Sequence, residues 1–149
     1  MNRTYYLAYG MNTNLDSMKS RCPQAISLGK VWLDDHRLQF KYFCDAEYQL
    51  GSKMPCALWS ITDRCEQSLD RLEGYPDYYL KKEVSVKYKN KTIKAMIYFM
   101  PEGNDLNFPS EYYFDTVVTG YKQHNMAIES LFTALEDVEK ESKNVYSMG

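Results

Sequence analysis

Tyr5-Tyr6-Leu7-Ala8-Tyr9-Gly10-Met11-Asn12 is the stretch on which the reading of this chain turns. Its apolar, aromatic run has the character of a buried strand, and it stops abruptly at Gly10. Leu15, Met18 and Cys22 then recur at helical spacing until Pro23 ends the pattern, and Asn12, Thr13 and Asn14 are all competent N-caps. A strand that turns on a glycine into a helix leaves several backbone N–H groups unpaired and aimed one way. Such a corner can cradle a carboxylate or phosphate, and the missing Cβ of Gly10 lets a ligand reach the main chain. The same residues also describe an ordinary strand–turn–helix corner that binds nothing, and this stretch alone does not decide between them.

The totals bound the rest. A chain of 149 residues has the length of one domain, taken as 1–149, and can bury a core without staples. With 44% hydrophobic and 26% charged residues it has an ordinary globular composition. The net charge is −2 with both signs interspersed, which provides no basic face for nucleic acid and no polybasic membrane patch. Neither a signal-peptide pattern nor an apolar run of about 20 residues is present. Cys22, Cys44, Cys56 and Cys65 show no C-x-x-C pairing, and neither His36 nor His124 is near a cysteine in sequence. The expectation is a cytosolic protein with no metal site, no disulfide framework and reduced, mostly buried thiols.

Downstream, Ala25–Leu33 reads as a strand, Asp34 and Asp35 as a turn, and His36–Phe43 as a half-buried strand alternating Leu38, Phe40 and Tyr42 with Arg37, Gln39 and Lys41. His36 is expected exposed at the strand end. Residues 44–55 read as a polar loop, and 56–61 as a short strand. Asp63 and Glu66 suggest a capping-box start to a helix carrying Leu69 and Leu72 and broken at Gly74. Alternating runs around Val84–Tyr88 and Ile93–Phe99, joined at Lys89-Asn90-Lys91, predict a hairpin. After a 101–109 loop, Ser110 caps a helix with Phe114, Val117, Val118 and Tyr121 on one face. A last helix carries Ile128 to Val138, and a polar tail at 142–149 is expected to fray. The class is mixed α/β or α+β.

Glu73 is the most informative acid. It ends its helix just before Gly74, where the macrodipole disfavours an anion, and Tyr75, Tyr78 and Tyr79 follow closely. If those rings exclude water, its pKa should rise toward neutrality, as a general acid–base requires; a solvated helix end is the plainer reading.

In order and spacing, these stretches resemble the gamma-glutamylcyclotransferase family of the AIG2-like superfamily. Its opening Tyr-Gly-Ser-Asn is similar to Tyr9-Gly10-Met11-Asn12, and its glutamate motif to Leu69-Asp70-Arg71-Leu72-Glu73-Gly74. Its Pro-Ser-x-x-Tyr element is similar to Pro109 through Tyr113, and lesser likenesses fall at Pro23–Ala25, Leu38–Phe40 and Leu58-Trp59. The resemblance spans about residues 5–138. It implies an α+β fold, a barrel-like mixed sheet with flanking helices and a cavity at the end of the first strand. It also implies a cofactor-free reaction on a small gamma-glutamyl substrate, whose own α-amine attacks the γ-amide carbonyl to give 5-oxoproline and a free amine or amino acid.

Carried over residue by residue, the resemblance makes Glu73 the proton shuttle and gives Gly10, Met11 and Asn12 backbone contacts to a glutamyl carboxylate. Tyr6, Leu7, Ala8 and Tyr9 would line the pocket, and Tyr113 would hydrogen-bond the substrate. Met11 replaces the usual serine, removing a hydroxyl and adding bulk, so altered specificity is expected. Two other functions stay open at this point. One is a binding module without chemistry on the same fold. The other is amide or acyl transfer on a larger substrate, such as a gamma-glutamylated lysine. The exposed edge strands expected of a small sheet also make a homodimer reasonable.

Overall fold

A computed structural model describes residues 2–148 of the chain, with side-chain surroundings through residue 144. Strand β1 (Arg3–Ala8) leads through a 3-10 turn (Met11–Thr13) into helix α1 (Leu15–Arg21). Strands β2 (Ile26–Lys41) and β3 (Phe43–Thr62) precede helix α2 (Asp63–Glu73). A hairpin of β4 (Leu80–Tyr88) and β5 (Lys91–Phe99) precedes helices α3 (Glu111–Gln123) and α4 (Glu129–Met148). The strands form one sheet in the order β2-β3-β1-β5-β4, so the fold is α+β.

The opening strand lies at the centre of that sheet, antiparallel to β3 and parallel to β5, with Tyr6 opposite Trp59 on one side and Met96 on the other. A strand flanked on both edges and covered by helices needs apolar residues on both faces. That is why Tyr6, Leu7, Ala8 and Tyr9 are all buried. Leu7, Phe40, Leu58, Leu69, Ile97, Val117 and Tyr121 share one core with them.

Several expectations need correction. The two strands read at 25–33 and 36–43 are one, β2; the Asp34–Asp35 turn is a bulge, with Asp35 at φ 59 and its carboxylate accepting the Gly51 N–H. The expected loop at 44–55 is the first half of β3, paired with β2 from the one-residue reversal at Tyr42. Its polar residues cover the outer part of a long two-stranded ribbon, so they carry no core pattern to read. The α2 cap is Thr62, one residue earlier than expected, whose hydroxyl accepts the Cys65 N–H at 3.2 Å.

His36 is buried, not exposed. Its Nε2 meets Lys82 Nζ at 2.8 Å, where the free edge of β2 curls back to β4. Cys22 and Cys65 are joined as a disulfide between the end of α1 and the first turn of α2, against the expectation of four reduced thiols; Cys44 and Cys56 are free and buried. Residue spacing carried no sign of this pair, which only the packing of α1 on α2 brings together. The hairpin closes on Lys89 and Asn90, both at positive φ, as a tight two-residue turn requires. Helix α4 is continuous to Met148, and the expected frayed tail falls partly outside the described residues. No helix among the described residues is long and apolar enough to cross a membrane.

Candidate active site

Sheet register brings the two ends of the site together. Helix α2 begins after Thr62, which pairs with Arg3 at the start of β1, and runs back for 11 residues. At a rise of about 1.5 Å per residue it covers roughly 16 Å, close to the length of β1 beneath it. Its last residue, Glu73, therefore arrives beside the turn that ends β1. Gly74 stops the helix there in a left-handed conformation (φ 64) that a side chain would resist, and Tyr75 N–H closes the cap on the Asp70 carbonyl at 2.9 Å.

Around Glu73 the contacts are specific. Asn12 Nδ2 donates to Tyr6 Oη at 3.0 Å and lies 3.5 Å from Glu73 Oε1. The Asn12 Oδ1 accepts from the Arg21 guanidinium, whose Nη2 faces Met11 Sδ at 3.2 Å. Burial pushes the Glu73 carboxyl up to about 7, and the positive charge of Arg21 opposes but does not cancel that rise. A carboxyl poised there can take and return a proton near neutral pH. Behind it, the Tyr98 ring meets Tyr6 edge-on at 5.9 Å, and Tyr98 Oη donates to Asp70 Oδ1 at 2.6 Å. Burial, reinforced by the Glu73 charge, holds the Tyr6 phenol protonated.

The turn itself is braced from within. Thr13 donates to the Gly10 carbonyl through both its N–H (3.1 Å) and its hydroxyl (2.7 Å), and Asn14 N–H reaches the Met11 carbonyl at 3.0 Å. The N–H groups of Gly10, Met11 and Asn12 have no partner among the described residues. Asn14 caps α1 by accepting the Ser17 N–H at 3.0 Å and ties the turn to α3 through the Thr116 carbonyl at 3.1 Å. Ser110 caps α3 on the Tyr113 N–H, setting Tyr113 in its first turn. Tyr113 Oη accepts the Cys44 N–H at 3.0 Å and occupies the space beside Gly10: a Cβ on Gly10 would lie 2.8 Å from that oxygen. Gly10 is needed because a hydroxyl stands where its side chain would be.

Comparison with known proteins bears on what such a site belongs to. Residues 6–115 match the family model described as gamma-glutamyl cyclotransferase, AIG2-like. The chain belongs to that family. It is 39% identical over 46 residues to a Methanocaldococcus jannaschii protein named as a candidate gamma-glutamylcyclotransferase; the match spans 30% of this chain and 38% of the length of that relative. A solved structure named gamma-glutamyl cyclotransferase superposes with a TM-score of 0.80 at 21% identity, over 96% of this chain and 99% of that one. The Bacillus subtilis protein YkqA superposes with a TM-score of 0.74 at 18% identity, over 99% of this chain and 55% of that one. These structural likenesses show the fold.

Set against that family, the expected residues divide. Glu73, Tyr6 and Asn12 are brought into one hydrogen-bonded group, and Met11 joins it through Arg21. Gly10 and Tyr113 meet at the other side of the turn. Tyr9 is a brace, since its hydroxyl donates to the Tyr98 carbonyl (2.6 Å) and its carbonyl accepts from Tyr121 Oη (2.7 Å). Leu7 and Ala8 are buried ladder residues, opposite Leu58 and Ala57. Sequence reasoning missed Arg21, Tyr98 and Cys44. Arg21 lies off the apolar stripe of α1 and so reads as solvated; only the fold turns it toward Asn12. Among the described residues no group of three His, Cys, Asp or Glu side chains could hold a metal.

Proposed function

We propose that this family member catalyses gamma-glutamyl cyclotransfer. The glutamyl α-carboxylate would be held by the free N–H groups of Gly10, Met11 and Asn12, and Tyr113 Oη would be its neighbour across Gly10. With the substrate bent over the turn, its α-ammonium loses a proton to the ionised Glu73 carboxylate. The amine then attacks the γ-carbonyl carbon, forming the ring C–N bond. The tetrahedral intermediate collapses by breaking the original amide C–N bond as Glu73 returns its proton to the departing nitrogen. The second proton still on the ring nitrogen then passes through Glu73 to the released amine, which leaves as an ammonium. The products are 5-oxoproline and an amine or amino acid, with no net gain or loss of protons on Glu73. Holding amine and carbonyl in contact supplies much of the rate, because the step becomes intramolecular in a fixed conformer.

One observation carries this reading: a partly buried carboxyl, pushed up to about 7 by burial, stands beside a turn whose three N–H groups have no partner among the described residues. Asn12 ties the two together, accepting from Arg21 and donating toward both Tyr6 and Glu73. Met11 in the position of the usual serine keeps the backbone contact, and its sulfur lies against Arg21. The test is 5-oxoproline release from a panel of gamma-glutamyl dipeptides and gamma-glutamyl amines, with Glu73→Gln alongside. Release by the parent and none by the variant supports the assignment. Silence from the parent across the panel overturns it.

A further inference from the structure

Two exposed aromatic rings stand next to residues of this site and lie outside the buried core. Phe43 is 55% exposed and Tyr78 is 78% exposed. Each is the sequence neighbour of a buried residue in one hydrogen-bonded chain: Tyr79 Oη donates to the Cys44 carbonyl at 2.8 Å, and Cys44 N–H donates to Tyr113 Oη at 3.0 Å. The Phe43 ring meets the Tyr113 ring edge-on with centroids 5.3 Å apart, so it stands one ring away from Gly10. Tyr78 lies over Gly74, where an added Cβ would come 2.5 Å from Tyr78 Cδ2, so it stands one residue away from Glu73.

Both placements are held by backbone and not by loose side-chain packing. Tyr78 belongs to a compact turn in which its N–H donates to the Gly74 carbonyl at 2.9 Å. Phe43 follows the reversal at Tyr42, which adopts φ 67, a conformation that disfavours a bulky residue. That reversal is pinned by Tyr42 N–H to the Asn107 carbonyl (3.2 Å) and Asn107 N–H to the Phe40 carbonyl (2.9 Å). An aromatic residue kept at a left-handed position, with a second exposed ring beside it, is not what turn chemistry alone selects.

We infer that Phe43 and Tyr78 form a leaving-group subsite that selects gamma-glutamyl substrates whose departing amine carries an apolar, preferably aromatic, side chain. The inference rests on the cyclotransferase reading above. In that reaction the glutamyl half is common to all substrates, and only the group on the departing nitrogen varies. That nitrogen takes its proton from Glu73, so its substituent starts beside Gly74 and leaves past the two rings. A small or charged substituent gains nothing from two ring surfaces, whereas an aromatic one gains stacking or edge contacts with both.

The experiment compares kcat/KM for 5-oxoproline release from gamma-glutamylphenylalanine and gamma-glutamylglycine in the parent, Phe43→Ala, Tyr78→Ala and Phe43→Tyr. The parent is expected to prefer the phenylalanine substrate by about tenfold or more, the ratio that one good aromatic contact supplies. Either alanine variant moves that ratio toward one, mainly through KM, and Phe43→Tyr retains it. Having both rings tested separately guards against one variant failing to fold. Release from both dipeptides with no preference in the parent, or with a ratio unmoved in both alanine variants, overturns the subsite and leaves the reaction standing. Release from neither dipeptide, nor from any other gamma-glutamyl compound in the panel, overturns the reaction and the subsite with it.

Discussion

Asn12 Nδ2 lies 3.5 Å from Glu73 Oε1 although 61 residues separate them in the chain, and the same nitrogen donates to Tyr6 Oη at 3.0 Å. One amide thus joins the turn after the central strand, the strand itself and the end of a helix. Its other end is held by Arg21, so Asn12 cannot rotate without leaving a guanidinium N–H unpaired. The carboxyl is thereby aimed at the turn that presents the free N–H groups.

Asn12→Ala removes this joint while adding no bulk. The loss of hydrogen bonds in a buried, charged setting is expected to cost about 1–3 kcal/mol of stability. Activity should fall more than stability implies, because Glu73 loses its positioning partner. Denaturant titration alongside 5-oxoproline kinetics checks both. An enzyme with parental kcat/KM would show that Asn12 does not position the acid.

Glu73 is expected to leave a signature in stability. Its pKa in the fold, about 7, lies above the ordinary carboxylate value, so the native state binds the proton more tightly than the unfolded chain. The contribution is full below pH about 4.5 and is lost as pH rises through 7. Relative to Glu73→Gln, the parent is therefore expected to lose roughly 1–3 kcal/mol between pH 4.5 and 8. Paired unfolding curves across that range measure it, and parallel pH dependences would place the carboxyl in water.

His36 acts in the opposite sense. Burial lowers its pKa, and its two nitrogens are engaged by the Asp34 carbonyl at 2.9 Å and Lys82 Nζ at 2.8 Å. The neutral ring is the form that accepts from the lysine. Stability from this pair is present above pH about 6.5 and lost as pH falls below it. His36→Gln, which keeps an acceptor without titrating, should flatten that acid limb in thermal melts from pH 7.5 to 5. A limb of unchanged steepness would assign the acid loss to other groups.

Gly10→Ala tests the close approach at the turn. A Cβ added at Gly10 would meet Tyr113 Oη at 2.8 Å and Cys44 Cβ at 3.2 Å. Displacing that hydroxyl is expected to cost about 1–3 kcal/mol, the range for overpacking a filled site. Binding of 5-oxoproline should weaken as well, read by ligand-induced shifts in melting temperature. A variant as stable as the parent would mean that Tyr113 can move aside freely.

Much of this was legible before the fold was known, for identifiable reasons. The run Tyr6–Tyr9 with its stop at Gly10 marked a buried strand and a turn because continuous apolar character and a glycine are both local signals. The Leu69–Gly74 helix end placed an acid against an unfavourable dipole, and the raised pKa of Glu73 follows from burial at that end. What was not legible depends on contacts between distant segments. The polar run 44–55 reads as a loop unless its partner, β2, is known to run alongside it on both sides of the bulge at Asp35. His36 is buried only because β2 curls back to Lys82, and Arg21 faces inward only because α1 packs beside the turn. Cys22 and Cys65, 43 residues apart, were paired by the same packing of α1 on α2.

The most direct test of the central claim, that Glu73 carries the proton in gamma-glutamyl cyclisation, is the pH dependence of kcat/KM for 5-oxoproline release. Because the ionised carboxylate must accept a proton from the substrate ammonium, kcat/KM should rise with pH through an ionisation near 7, and Glu73→Gln should leave no measurable turnover. Release that stays level from pH 6 to 8, or that persists at the parental rate in Glu73→Gln, would contradict the account.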